Sequence, residues 1–167
     1  MNIRPVSLED IPQIEGIWAP VIRDTLATFN SVVKDQDSVK NIIKEKRKLD
    51  HAFLVVESER NVVGFGHYGQ FRDGVGYAHA MEHTIILDPR AQGKGVGRFL
   101  MSALEEHAAS RGAHCMLAGV SSGHPDAFAF HAALGYSEVA RVPQVGYKFD
   151  QRLDLILMQK FLKQPSN

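Results

Sequence analysis

A glycine-rich segment at residues 92–98 is the feature that most restricts what this chain can fold into. It follows an apolar, β-branched run at residues 84–87, which is typical of a buried strand, and it leads into an amphipathic helical pattern. A strand, a glycine-rich turn and a new helix expose backbone N–H groups, and the helix directs its free donors and its positive end at the same point. Lys94 and Arg98 add positive charge. The segment therefore predicts a site for a ligand that carries a pyrophosphate.

The spacing of the glycines limits which ligand this is. The phosphate loop of nucleoside triphosphatases requires Gly-x-x-x-x-Gly-Lys-Ser/Thr, which does not occur, and the dinucleotide pattern Gly-x-Gly-x-x-Gly fails at Phe99. The pattern that the sequence does contain is Gln92-x-x-Gly95-x-Gly97, at the junction of a predicted strand and a predicted helix. This pattern resembles the acetyl-CoA pyrophosphate loop of the GNAT superfamily of N-acetyltransferases. The alternative is an ordinary glycine-rich turn between a strand and a helix.

Composition narrows the class of protein. The 167 residues suffice for one domain, which we expect to span residues 1–167, and 19 basic residues balance 19 acidic ones. The balanced charge therefore gives no reason to expect a nucleic acid or an anionic membrane as partner. The single cysteine, Cys115, lies in an apolar run and is expected to be a core residue. No apolar run approaches the length of a membrane span, and the N-terminus lacks the apolar block of a signal peptide. These features predict a cytoplasmic protein.

Hydrophobic periodicity and turn residues predict seven strands and four helices. The predicted strands are residues 3–6, 52–57, 62–68, 81–87, 113–120, 136–142 and 153–161. The predicted helices are one that follows a capping box at Ser7 and Asp10, and then residues 35–48, 96–110 and 125–134. The order β-α-α-β-β-β-α-β-α-β-β indicates an α/β (α+β) fold, a mixed and mostly antiparallel sheet flanked by helices. It is also the element order of the GNAT fold.

A competing motif suggests a different reaction class. His79-x-x-Glu82-His83 matches the inverted zinc-protease pattern His-x-x-Glu-His. That pattern requires a helix, in which ligands four residues apart share a face. Here glycines precede the motif and Pro89 follows soon after, so we predict a strand, which places Glu82 and His83 on opposite faces. A zinc hydrolase is the weakest of the alternatives, and we expect no metal.

Strings across nearly the whole chain resemble one branch of the GNAT superfamily, the phosphinothricin and the methionine sulfone/sulfoximine acetyltransferases. They are residues 3–5, 28–29, 68–72, 82–84, 131–136, 145–149 and 153–159, together with the glycine loop. The resemblance implies acetyl-CoA as co-substrate, a small amino-acid analogue acetylated on its α-amino group, and a homodimer. The chain departs from the family at Gly74, where a second arginine is frequent, at His124, where an asparagine touches the pantetheine arm, and at Ala127, where a serine is found.

Two residues are the candidates for proton transfer. Glu82 lies on the strand before the glycine loop and aligns with the glutamate of the family. A half-buried carboxylate beside apolar neighbours has a raised pKa and is suited to be the general base; the alternative is an exposed charge on a strand. His131 occupies the place where many GNAT members carry a tyrosine, which implies an acid for the departing thiolate; the alternative is a histidine that packs or caps a helix. His83 is expected to pack on the opposite face.

The remaining candidates bind the two substrates. The resemblance assigns the cofactor to the main chain of the fourth strand, to the glycine loop and to the residue that replaces the asparagine of the family: Ile85, Ile86, Leu87, Gln92, Gly93, Lys94, Gly95, Val96, Gly97, Arg98 and His124. For the amine substrate, the candidates are Phe29, Arg72, Tyr77, Glu82 and Thr84. Arg72 would clamp a carboxylate through its guanidinium, with a solvated loop arginine as the alternative. Phe29 and Tyr77 would wall the pocket or else belong to the core.

Two other functions stay open at this point. A GNAT-like domain could bind acyl-CoA as a sensor without catalysis, and an acetyltransferase could act on a different amine, such as a polyamine or a peptide. Release of free CoA thiol in the presence of a panel of amines separates these possibilities.

Overall fold

The computed structural model describes residues 1–163, and residues 164–167 of the expected domain lie outside the described part. The strands are β1 (Asn2–Pro5), β2 (Phe53–Ser58), β3 (Asn61–Gln70), β4 (Ala80–Leu87), β5 (Cys115–Ser121), β6 (Ser137–Lys148) and β7 (Gln151–Phe161). The helices are α1 (Ile11–Asp24), α2 (Gln36–Lys48), α3 (Val96–Ser110) and α4 (Pro125–Ala133). The predicted order of elements is confirmed.

All seven strands form one sheet in the order β1-β2-β3-β4-β5-β7-β6. Every neighbouring pair is antiparallel except β4 and β5, which are parallel because α3 crosses between them. The connection is the strand, glycine turn and helix that the sequence predicted. The mixed sheet therefore has its parallel pair at its centre, beside the glycine turn.

Helices cover both faces of the sheet, and each face has its own hydrophobic core. Side chains of α1 and α2, such as Ile14 and Ile43, pack against Phe53 and Phe65 on one face. On the other face, Leu100 and further residues of α3 pack with buried residues of β3, β5 and β7. Because side chains alternate along a strand, consecutive residues of β4 belong to different faces. None of the helices in the described part of the chain combines the length and hydropathy that a membrane span requires.

The predicted capping box is present, but it starts a short 3-10 turn at Leu8–Asp10 that precedes α1. The Ser7 N–H donates to the Asp10 carboxylate at 2.7 Å. Asp10 is 3% exposed and also accepts two hydrogen bonds from the Arg4 guanidinium at 2.8 Å. These bonds lower the pKa of Asp10, with the Arg4 bonds as the largest cause. The cap thus ties the start of α1 to the edge strand β1.

Two strands, β3 and β6, continue past their predicted C-terminal ends. The predicted loop begins at Gly69, but β3 continues to Gln70 because Gly69 and Gln70 pair with Glu82 and Met81 of β4. Strand β6 runs on from Val142 to Lys148, with register shifts that keep it paired with β7. In both cases the extra residues are held by a neighbouring strand, and local sequence patterns do not report such pairing.

Candidate active site

The two central strands separate, and this separation creates the site. The β4–β5 ladder pairs Ala80 with Cys115 and ends where Glu82 pairs with Leu117. Beyond that point β4 stays paired with β3, and β5 stays paired with β7. The side of β4 after Glu82 that is turned away from β3 therefore lacks a strand partner, and its alternating N–H and C=O groups border an open gap.

The glycine turn lies at the wide end of this gap. Gly93 and Gly95 have φ angles of 70° and 77°, a region that disfavours side chains and explains two of the glycines. Gly95 is the N-cap of α3, and the first helical bond is from the Phe99 N–H to the Gly95 carbonyl at 3.1 Å. The N–H groups of Val96, Gly97 and Arg98 consequently have no partner within the helix. They form a cradle of donors at the positive end of α3.

A cavity of about 650 Å³ joins the gap to the glycine turn. Eleven of the predicted site residues line it: Thr84, Ile85, Ile86, Leu87, Gln92, Gly93, Gly95, Gly97, Arg98, His124 and His131. The Arg98 guanidinium donates to the Ala133 carbonyl at 3.2 Å and so links α3 to the end of α4. The structure thus assembles most of the residues expected to bind a cofactor along one continuous wall.

Glu82 lies where the two strands part, directly before the lining residues of β4. Its Oε1 atom is 3.0 Å from the point that a Cβ on Gly119 of β5 would occupy, so the carboxylate leans across the gap. Burial raises the pKa of Glu82, and the positive charge of Arg72 lowers it in part. A carboxylate with a raised pKa at the apex of a cavity is suited to accept a proton near neutral pH.

His83 and His131 form a buried pair on the other face of β4. Their Nε2 atoms are 2.9 Å apart, and the His131 Nδ1–H donates to the Ala127 carbonyl at 2.7 Å. His131 therefore presents its Nε2 lone pair, and the proton between the rings belongs to His83 Nε2. The Tyr136 ring lies 5.4 Å from His131 and 5.7 Å from His83. The sequence predicted only a packing role for His83, but its ring is hydrogen-bonded to His131, a predicted catalytic residue.

Six predicted site residues lie outside the cavity lining: Phe29, Arg72, Tyr77, Glu82, Lys94 and Val96. Val96 is buried in the core, and Lys94 is exposed. The Phe29 ring packs over Gly146 of β6, where a Cβ would meet it at 2.6 Å. Tyr77 is 45% exposed in the loop before β4. The structure therefore brings neither aromatic ring to the cavity wall, because Phe29 packs on β6 and Tyr77 is exposed to solvent.

The loop that carries Arg72 is ordered by a side chain of β3. The Gln70 amide donates to the carbonyls of Arg72 and Gly74 at 2.6 Å and 2.7 Å. Arg72 is exposed, and its guanidinium stacks 5.1 Å from the ring of Phe71. Its charge lowers the pKa of Glu82, which places Arg72 within electrostatic reach of that carboxylate.

Other lining residues were not identified from the sequence. Trp18 of α1 is 6% exposed, as expected of a core residue, but it also lines the cavity. Thr28 and Asn30, from the segment between α1 and α2, line it as well, and so does Gly119. Gly119 interrupts the apolar run of β5, and a glycine inside a strand is the one local feature of the sequence that could have indicated this part of the cavity wall. His124 also has a structural role, since its Nδ1 accepts the Ala127 N–H at 3.1 Å and caps α4.

The zinc motif does not assemble in this structure. His79 precedes β4, where its Nδ1–H donates to the Gly112 carbonyl at 2.8 Å, while Glu82 and His83 lie on opposite faces of the strand. Within residues 1–163, no group of three or more histidine, cysteine, aspartate or glutamate side chains is arranged to hold a metal ion.

The histidine pair gives a prediction that solution NMR can check. Burial, and then the nearby His131, lower the pKa of His83 to about 3, and burial also lowers the pKa of His131. We expect both rings to be neutral at pH 6.5, where an exposed histidine is about half protonated. Ring ¹⁵N shifts should show a proton on Nε2 of His83 and on Nδ1 of His131. The His131→Phe variant, as the control, should shift the His83 Nε2 signal. Half-protonation of either ring near pH 6.5 would contradict the geometry.

Comparison with known proteins identifies the family. Residues 18–136 match the model of the acetyltransferase (GNAT) family. An L-methionine sulfoximine/L-methionine sulfone acetyltransferase of Salmonella typhimurium is 34% identical over 95% of this chain and 93% of its own. A phosphinothricin N-acetyltransferase of Alcaligenes faecalis is 28% identical over 95% of this chain and 81% of its own. A putative acetyltransferase from Salmonella typhimurium, solved with its cofactor acetyl-CoA, superposes with a TM-score of 0.93, at 33% identity over 100% of this chain and 96% of that one. The chain belongs to the acetyltransferase (GNAT) family.

Proposed function

We propose that this protein transfers the acetyl group of acetyl-CoA to the α-amino group of a small amino-acid analogue. The observation that carries the proposal is the cavity between β4 and β5, which runs from a cradle of free N–H groups at α3 to Gly119, the residue toward which the Glu82 carboxylate leans. The relatives named above, which act on methionine sulfoximine, methionine sulfone or phosphinothricin, support the class of amine.

The residues present fit acetyl-CoA. The N–H groups at Gly93 to Arg98 would bind the pyrophosphate, and Lys94 and Arg98 would supply positive charge. The unpaired side of β4 at Ile85 to Leu87 offers alternating donors and acceptors to the amides of the pantetheine arm, which would lie there as an added strand does. When bound, the thioester supplies the acetyl group.

The chemistry of amine acetylation requires a base, because the amine is mostly an ammonium at neutral pH. We assign this role to Glu82, whose carboxylate takes the proton directly or through a water molecule and so frees the nitrogen lone pair for attack on the thioester carbon. Backbone N–H groups of β4 would stabilise the negative charge that develops on the acyl oxygen. Cys115 is buried, which favours direct transfer over an acetylated enzyme.

The role of His131 as an acid for the thiolate stays a prediction, and its geometry restricts that role. Both of its ring nitrogens are engaged, one with Ala127 and one with His83. A neutral imidazole is a far weaker acid than an imidazolium. The arrangement therefore favours a positioning role for His131 in the cavity wall over direct proton donation.

For the amine substrate, we assign the binding of a carboxylate to Arg72 and a contact with the substrate to Thr84, which lines the cavity on the same face as Glu82. Phe29 and Tyr77 stay predicted pocket walls, which would require their loops to turn toward the cavity. We further propose that the protein works in the cytoplasm, where acetyl-CoA is available and where the free thiol of Cys115 stays reduced.

We also propose a homodimer that uses the outer side of β6. This edge strand carries apolar side chains that are at least 39% exposed: Val139, Val142, Val145 and Tyr147. Edge strands with exposed apolar residues are normally covered, because they otherwise promote association. A second copy of the same edge would cover them.

Glu82→Gln should lower kcat by about 100-fold or more, because the amide cannot accept the proton. The Kd for acetyl-CoA should stay unchanged. Since burial raises the pKa of Glu82, the wild-type rate should rise with pH as this carboxyl loses its proton, and the variant should lack that rise. Thiol release from acetyl-CoA with methionine sulfone, measured across pH, tests this, with Glu9→Gln as an exposed control. A Glu82→Gln rate equal to wild type at every pH would remove Glu82 from the reaction.

Gly97→Ala should raise the Kd for acetyl-CoA about tenfold, since a Cβ there meets ring atoms of Phe130 at 2.9 Å and 3.0 Å. Phe130 and Gly97 both line the cavity, so the added methyl group must push the ring into it or displace α3. Gly16→Ala in α1 is the matched control, because nothing lies within 4 Å of its Cβ. Calorimetry with acetyl-CoA gives both values. The absence of binding by the wild-type protein would overturn the proposed function.

The purified protein should have a molar mass of twice 18.5 kDa by size-exclusion chromatography with light scattering. Val145→Asp should shift it to the monomer, because the new charge would be desolvated at the interface. Val75→Asp, at a residue 96% exposed in the loop before β4, is the control and should stay dimeric. A wild-type monomer at micromolar concentration would reject the proposed dimer.

A further inference from the structure

Lys46, near the end of α2, is a shielded cation with unused hydrogen-bonding capacity. Its side chain is 12% exposed, and the one ion pair it forms among residues 1–163 is with Glu45 at 3.4 Å. The Glu45 side chain is itself 59% exposed, so this contact is weak. An ammonium has three N–H donors, and a charge withdrawn from water is normally paired. Lys46 is therefore poised for an anion that the protein itself does not supply.

The ammonium stands over Gly69 of β3. Its Nζ atom lies 2.6 Å from the point that a Cβ on Gly69 would occupy. The Nδ1 atom of His51 lies 4.0 Å from the same point and is a buried polar atom without a hydrogen-bond partner. A cation and an unpaired imidazole nitrogen thus converge on one spot of the sheet, where the absence of a side chain at residue 69 leaves room for the ammonium.

This spot is next to the proposed base. Gly69 is the cross-strand partner of Glu82, and side chains of directly paired residues share a face about 5 Å apart. The Glu82 carboxylate leans the other way, toward Gly119 of β5, which carries no charge. Glu82 therefore leans toward an uncharged residue of β5, while the ammonium of Lys46 lies over its cross-strand partner in β3.

An α-amino acid matches this arrangement. Its carboxylate carbon is two covalent bonds from its nitrogen, so a nitrogen held at Glu82 keeps the carboxylate within a few ångströms. A substrate carboxylate on the side of Glu82 where the ammonium of Lys46 lies would accept a charge-assisted hydrogen bond from it. Arg72, exposed in its loop, would contact the carboxylate from solvent.

We infer that Lys46, with His51 beside it, binds the α-carboxylate of the amine substrate. The inference rests on the proposed function and deepens it, because it names the side chains that select an amine with a free carboxylate. Simple amines lack the carboxylate, and peptide N-termini carry an amide at that position.

Two substitutions on different elements test the subsite. Lys46→Met removes the ammonium and keeps the length of the side chain. Gly69→Ala places a methyl group where Nζ now lies and displaces only the end of a flexible side chain, so the fold is kept. The substrates are methionine sulfone and its decarboxylated analogue, 3-(methylsulfonyl)propylamine. Both variants should raise the KM for methionine sulfone by about 10- to 100-fold, as expected for a lost bond between charged groups. The kcat/KM for the analogue should not change.

Matched control variants test whether the effect depends on the positive charge at Lys46. Lys44→Met and Lys48→Met change exposed lysines of the same helix and should leave both substrates unaffected. Lys46→Arg should restore most of the affinity for methionine sulfone. In every variant the KM for acetyl-CoA should equal that of the wild type, which shows that the cavity is intact.

The outcomes separate the two proposals. A wild-type protein that acetylates no α-amino acid overturns the proposed function itself. If the wild type is active, an unchanged KM for methionine sulfone in Lys46→Met overturns the subsite alone. An equal loss for methionine sulfone and its decarboxylated analogue also overturns it, because the effect would then not depend on the carboxylate.

Discussion

The parting of β4 and β5 beyond the Glu82–Leu117 pair is the constraint on which the site depends. Two neighbouring parallel strands give up their hydrogen bonds over the second half of their length, and the backbone groups of β4 are left facing a gap. A sheet keeps such groups unpaired only where another molecule or water can satisfy them. The outer bonds of the same strands, to β3 and β7, hold the gap open. The gap is therefore a property of the sheet, and loop residues complete the cavity around it.

The two faces of β4 carry different groups of the candidate site. Glu82 and Thr84 point to the face covered by α1 and α2, where the amine substrate is proposed to bind, and His83 points to the face covered by α3 and α4. The cavity that ends at the glycine turn is lined by residues from both faces of β4, including His83 and Thr84. Strand alternation thus places the proposed base, whose pKa is raised, next in sequence to a histidine of the buried pair, whose pKa is lowered, with the two side chains on opposite faces.

Buried polar atoms without partners are concentrated around this part of the sheet. In the described residues they are His51 Nδ1, His67 Nε2 and His83 Nδ1, on or next to β2, β3 and β4. Burial keeps His67 and His83 neutral by lowering the pKa of each to about 3. Such atoms cost stability unless water or a ligand satisfies them. The ammonium of Lys46 belongs to the same region, and it would gain a partner in the proposed carboxylate subsite.

Local patterns determined much of this protein. The glycines of residues 93–97, the alternation that separates Glu82 from His83, and the order of elements are properties of short stretches, because backbone conformation and strand periodicity act over a few residues. Only the tertiary structure decided the rest. The extent of β3 and β6 depends on neighbouring strands. The Nε2–Nε2 contact joins His83 and His131, which are 48 positions apart in the sequence. Lys46 of α2 reaches Gly69 of β3. Trp18 and Gly119 become cavity walls for the same reason: which side chains meet across a gap depends on where the β4–β5 hydrogen bonds stop, and that is fixed by packing between elements distant in sequence.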